Sequence, residues 1–82
     1  MNPQAIRTVV LEVLTSIAPE VELEQLLPDR PLRRQVDLDS IDWLNFLIGL
    51  NCRLGVDIPE ADYARLATLG DIERYLAGRL KT

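Results

Sequence analysis

The sequence predicts an all-α fold: a small four-helix bundle, three main helices plus one short helix, with a long first loop. Three observations carry this. Apolar residues recur at three- and four-residue spacing in three segments. Asn2, Asp39 and Thr68 stand immediately in front of those segments, as helix caps do. No stretch alternates apolar and polar residues as a half-buried strand would.

The first helix is expected to open at Pro3 behind an Asn2 cap, because proline is tolerated at the first helical position. Ile6, Val10, Val13, Leu14 and Ile17 form its stripe, and Ala18-Pro19 ends it. Next comes a connection of about twenty residues, too long to be structureless in a compact domain. Its Val21, Leu23, Leu26, Leu27 and Leu32 are expected to pin it over the bundle, with one helical turn at ELEQLL.

The second main helix covers SIDWLNFLIGLNCRL, with Asp39 as cap, Asp42 at the box position and Gly55 as a left-handed stop. Trp43, Phe46, Leu47, Leu50 and Leu54 share one broad apolar face, with Trp43 as a core anchor. Ile41, Leu44 and Ile48 form a second stripe beside Asn45 and Cys52, and Asp42, Gly49 and Arg53 make a narrow polar remainder. A helix with two apolar faces is either buried on both or meets a partner with one. Cys52 reads as a small apolar filler. Pro59 can open the short helix PEADYARLA, with Tyr63 and Leu66 inward. Thr68, with Asp71 at the box position, then caps a last helix whose stripe is Leu69, Ile72, Leu76 and Leu80.

The totals narrow the function. With 82 residues the chain reads as a single domain, residues 1–82, of a size that buries about 60% of its unfolded surface. A net charge of −4 disfavours nucleic acid, which requires a basic face. The lone Cys52 excludes an internal disulfide and fits a reducing cytoplasm. Arg7 and Glu12 interrupt the apolar residues near the N-terminus, so we expect neither a signal peptide nor a membrane span. The absence of histidine removes Ser-His-Asp and Cys-His machinery and the usual zinc ligands. The expectation is a monomeric cytoplasmic protein without catalysis of its own and without a metal site.

Ser40 is the residue this leaves to explain. It opens the most apolar helix, where unpaired amides and the positive end of the helix dipole favour an anion. An Asp-Ser pair at a helix start is ordinarily a cap and a neighbouring polar residue. The alternative is an exposed hydroxyl that accepts a phosphodiester.

The order of features separates the two. Asp39-Ser40-Ile41-Asp42, Gly55, Ile58-Pro59 and Ala67-Thr68-Leu69 followed by Ile72 and Tyr75-Leu76 resemble, in sequence and spacing, the acyl carrier protein family over nearly the whole chain. The resemblance implies 4′-phosphopantetheine attached to Ser40 by a phosphopantetheinyl transferase that uses coenzyme A. It implies a cargo held as a thioester and presented to acyl-loading and acyl-processing enzymes. Asp39 would serve the transferase's metal site, and Ile41, Asp42, Leu44, Asn45 and Ile48 would meet partners. A cargo pocket would lie among Leu50, Ile58, Tyr63, Leu66 and Ile72, and a buried Tyr63 phenol there would restrict a long chain.

Two departures point to a specialised member rather than a housekeeping one. Asp37 stands where the family usually has glycine, and Asn45, Asn51, Cys52 and Arg53 stand where its second helix usually offers glutamates. Partner recognition is therefore expected to depend more on apolar burial than on charge. Arg33-Arg34 reads as a solvated pair or as a modifier of partner choice. An aminoacyl or peptidyl carrier, and an unmodified helical interaction module, remain the alternatives.

Overall fold

Asn2 starts the first helix as the sequence requires: its side-chain oxygen accepts from the Ala5 amide at 2.7 Å. The computed structural model describes residues 2–80. Over that range the chain forms α1 (Pro3–Ile17), a 3-10 turn (Leu23–Gln25), α2 (Leu32–Gln35), α3 (Ser40–Leu54), a 3-10 helix (Glu60–Arg65) and α4 (Leu69–Leu80). No strand occurs among the described residues; Pro31 and Thr68 make one isolated antiparallel bridge.

α1 packs against both α3 and α4. Ile6, Val10, Val13 and Leu14 of α1 are buried with Phe46, Leu47 and Leu50 of α3 and Leu69, Ile72 and Leu76 of α4. Trp43 is buried, its ring centroid 5.4 Å from that of Phe46. Arg7 pairs with Glu73 at 2.8 Å and Arg53 pairs with Glu12, so α1 is tied to each long neighbour at the surface as well. The Arg7–Glu73 hydrogen bond and attraction hold the guanidinium pKa above its ordinary value.

The ends of α3 and α4 follow local chemistry. Gly55 stops α3 at φ 65°, a left-handed conformation that glycine adopts without steric cost. At the start of α4 the Thr68 hydroxyl accepts from the Asp71 amide at 2.9 Å, and the Asp71 carboxylate accepts from the Thr68 amide at 3.2 Å. This is the reciprocal box that the sequence predicts. Burial pushes the Asp71 carboxyl pKa up, but the Thr68 amide and hydroxyl together with Arg74 outweigh it and hold the pKa below the usual carboxylate value.

The short helix expected after Pro59 is present as a 3-10 helix, Glu60–Arg65, and Pro59 supplies no side-chain cap. Three expectations are corrected. The long loop contains α2, which the stripe pattern does not show because only Leu32 of its four residues is buried. Leu32, Val36 and Leu38 anchor that loop, whereas Leu23 and Leu27 are exposed. Gly49 is not part of a polar face: it is half-buried, and a side chain added there would meet Val13 Cγ1 at 2.7 Å.

Hydrogen bonds hold the rest of the loop. The Gln35 side chain accepts from the Leu27 amide at 2.6 Å and donates to the Leu27 and Arg30 carbonyls. The Leu32 amide donates to the Ala67 carbonyl at 2.8 Å, and the Gly70 amide to the Pro28 carbonyl at 3.0 Å. The loop is thereby laced to the start of α4, and it delivers Asp39 and Ser40 to the open end of α3.

Candidate functional site at the start of helix α3

The cap and the serine have separate tasks. Asp39, in extended conformation, accepts from the Asp42 amide through Oδ1 at 2.8 Å, and its carbonyl accepts from the Trp43 amide at 2.9 Å. Asp39 therefore does the capping. Ser40, the first residue of α3, is exposed, and its hydroxyl has no hydrogen-bond partner among the described residues. The Ser40 and Ile41 amides likewise have none there, as expected for the first positions of a helix. An exposed hydroxyl, two unused donors and the positive end of a fifteen-residue helix suit a covalently attached phosphate.

Arg33 lies against this end of the helix. Its Nε donates to the Leu38 carbonyl at 3.4 Å, and its guanidinium stands 5.8 Å from the centre of the Trp43 ring. Leu38 precedes Ser40 by two residues and Trp43 follows it by three. The stripe of α3 turned away from the core presents Ile41 at 69%, Leu44 at 42% and Ile48 at 48% exposure. Asn45 is exposed between them, and Asp42 is half-buried. Among the described residues no cluster of histidine, cysteine or acidic groups could hold a metal ion. No described helix is long and apolar enough to cross a membrane.

The family described as "Phosphopantetheine attachment site" matches residues 4–76. The acyl carrier protein of Renibacterium salmoninarum is 34% identical over 77% of this chain and 73% of its own length. The chain belongs to the acyl carrier protein family. Two further relatives are acyl carrier proteins by name. The meromycolate extension acyl carrier protein of Mycobacterium leprae is 28% identical over 82% of this chain, and the chain spans only 55% of that relative's length. Acyl carrier protein MbtL of Mycobacterium bovis is 26% identical over 98% of this chain and 94% of its own. The family's cofactor is covalently attached 4′-phosphopantetheine, and the exposed hydroxyl and free amides at Ser40 fit its phosphodiester.

Seen within the acyl carrier protein family, the other predicted residues fall into two groups. Ile41, Asp42, Leu44, Asn45 and Ile48 line the outer side of α3 directly after Ser40. Leu50, Ile58, Leu66 and Ile72 are buried in the common core, and Tyr63 is half-buried at its edge. Tyr63 and Ile58 border a cleft of about 250 Å³ with Leu47, Ile48, Asn51 and Asp57. Tyr63 is thus only half-buried, packed against the edge of the core where the sequence places it inward, while Leu66 is buried as expected.

Some residues take other roles than their spacing suggested. Cys52 is exposed and free rather than an apolar filler, since two residues along α3 turn it about 200° away from the buried Leu50. The Asn51 side-chain amide donates to the Val56 carbonyl at 2.7 Å and latches the turn that follows α3. Its position five residues before Val56, beside the Gly55 stop, is the sequence signal for that latch.

Asp62, Tyr75 and Arg79 form a further group that the spacing did not show. The Tyr75 hydroxyl donates to Asp62 Oδ2 at 2.6 Å, Arg79 pairs with the same oxygen at 3.1 Å, and Arg79 and Arg65 stand 5.0 and 5.9 Å from the Tyr75 ring centre. Burial, then the bond to Asp62, raises the Tyr75 pKa, while the two arginines oppose them. The group clasps the 3-10 helix, one wall of the cleft, to α4.

Proposed function

We propose that this chain is a specialised acyl carrier protein whose Ser40 bears the phosphopantetheine arm. The observation that carries the reading is the division of labour between neighbours: Asp39 caps α3, so Ser40 is not needed for the cap and its hydroxyl stays exposed. Loading forms a bond from Ser40 Oγ to the β-phosphorus of coenzyme A and breaks the pyrophosphate bond. Adenosine bisphosphate leaves, and the serine proton passes to the transferase. Asp39 adds a carboxylate to the transferase's metal site. The thiol of the arm then supplies the thioester chemistry.

The protein's own contribution is positioning. Ser40 fixes the arm at one end of a rigid helix, and tethering raises the local concentration of cargo at each partner. Ile41, Leu44 and Ile48, with Asn45 and Asp42, form the surface that acyl-loading and acyl-processing enzymes cover. The cleft beside Tyr63, lined also by Leu47, Ile48, Asn51, Asp57 and Ile58, receives at most a short cargo. We assign the protein to the cytoplasm as a monomer with no catalysis of its own.

Intact mass after co-expression with a broad-specificity phosphopantetheinyl transferase tests the reading. Wild type should gain one phosphopantetheine and Ser40→Ala none, with the helical circular dichroism of both alike. Modification that persists in Ser40→Ala would overturn it.

A further inference from the structure

The arginines of this chain divide into two sets. Arg7, Arg53, Arg65, Arg74 and Arg79 each face a carboxylate. Among the described residues Arg30, Arg33 and Arg34 have no such partner, and they lie together in and just before α2. Arg33 alone of these three is held in place against α3, by the Leu38 carbonyl and the Trp43 ring.

That position has an electrostatic consequence. Asp37, Asp39 and Asp42 flank Ser40 in the sequence, and a phosphodiester on Ser40 Oγ would add another negative charge among them. Two amides and the helix dipole offset part of the repulsion. A guanidinium offers more, since arginine–phosphate pairs are charge-assisted and directional. Arg33 spends Nε on Leu38, and its terminal nitrogens have no partner among the described residues. Residues three apart on a helix are surface neighbours, so a group stacked on Trp43 stands beside the turn that carries Ser40.

We infer that Arg33 is a positioning residue for the arm: it pairs with the phosphodiester on Ser40 and sets the direction in which the arm leaves the protein. The inference rests on Ser40 being the attachment site. Arg33 thus replaces, from the loop side, the neutralisation that the acids around Ser40 withhold. The bond to the Leu38 carbonyl and the Trp43 ring face orient the guanidinium before modification, so less side-chain freedom is lost when the pair forms.

The test compares unmodified and phosphopantetheine-modified protein for wild type, Arg33→Ala and Arg34→Ala, with intact mass read first on every sample. Absence of the mass gain in wild type would reject Ser40 loading itself, separately from the role of Arg33. In modified wild type, the Arg33 Nε–H resonance should shift relative to the unmodified form, and the emission of the single tryptophan, Trp43, should change with it. Arg33→Ala should lose the modification-dependent change at Trp43 and move the phosphorus resonance towards that of a small serine–pantetheine phosphodiester free in solution. Arg34→Ala should behave as wild type. An Arg33 Nε–H resonance that stays put on modification would overturn the inference whatever the variants do, and so would equal phosphorus shifts for wild type and Arg33→Ala.

Discussion

Val13 and Gly49 meet where α1 crosses α3, with Val13 Cγ1 2.7 Å from the point where a side chain on Gly49 would begin. The contact lets the two backbones approach and sets the tilt of the helix that carries Ser40. Alanine in a helix is ordinarily favoured over glycine by roughly 0.5–1 kcal/mol. Here overpacking of about 1–3 kcal/mol opposes that gain, and Val13, restricted to one main rotamer in a helix, cannot turn away. Gly49→Ala should therefore destabilise the protein by about 1 kcal/mol in urea unfolding. In a Val13→Ala background the same change should become neutral or stabilising, and additivity of the two would show that the contact is not the cause.

Asp39 caps α3, and one substitution can separate that cap from the role proposed for its carboxylate at a transferase's metal site. Asparagine caps helices about as well as aspartate, whereas alanine costs about 1 kcal/mol. Asp39→Asn should keep the melting temperature close to wild type but slow loading by a transferase roughly tenfold or more, the scale of a lost metal-site partner. Asp39→Ala should lose both. Equal loading rates for wild type and Asp39→Asn would remove the carboxylate from the reaction.

Recognition should follow the exposed stripe. Ile48→Glu puts a charge into the apolar contact and should weaken binding to a cognate loading enzyme more than Asp42→Asn does. Ion pairs at an exposed surface are screened over about 10 Å at 0.1 M salt, so affinity should fall only slightly as salt rises. A steep salt dependence, or the reverse order of the two variants, would place recognition on charge.

Cargo length can be read from stability. A chain sequestered in the fold binds only the folded state and must raise its stability. With Tyr63 at the margin of a cleft of about 250 Å³, melting temperature should stay flat from short to long acyl groups in wild type and climb in Tyr63→Ala. A steady climb in wild type would show that Tyr63 does not limit the cleft.

The α4 cap makes a prediction about acid. Because the folded Asp71 pKa is depressed, its stabilisation is present above the unfolded carboxyl value near ~3.9 and is lost as pH falls through the lower folded value. Asp71→Asn should be less stable than wild type at neutral pH, with the gap closing below about pH 4. Tyr75 acts at the other end of the scale. Its raised pKa gives stability that is complete below ~10 and is lost as pH rises through the folded value, a loss Tyr75→Phe should not show.

Caps, stops and stripes were legible in the residues themselves. Asn2, Asp39, Thr68 with Asp71, and Gly55 act on backbone groups within three or four residues, so position along the chain is enough to read them. The same holds for Ser40 at the first position of α3. Only the tertiary structure decided what lies across from each helix. Trp43 turns inward while Ile41, Leu44 and Ile48 remain exposed, a choice between two apolar faces that the pattern of α3 leaves open. Gly49 against Val13, Arg33 over Trp43 and Tyr75 with Asp62 join residues of separate elements, 10 to 36 positions apart in the chain. Such contacts depend on how far apart and at what angle the elements pack, and periodicity within one element carries no record of its neighbour's position.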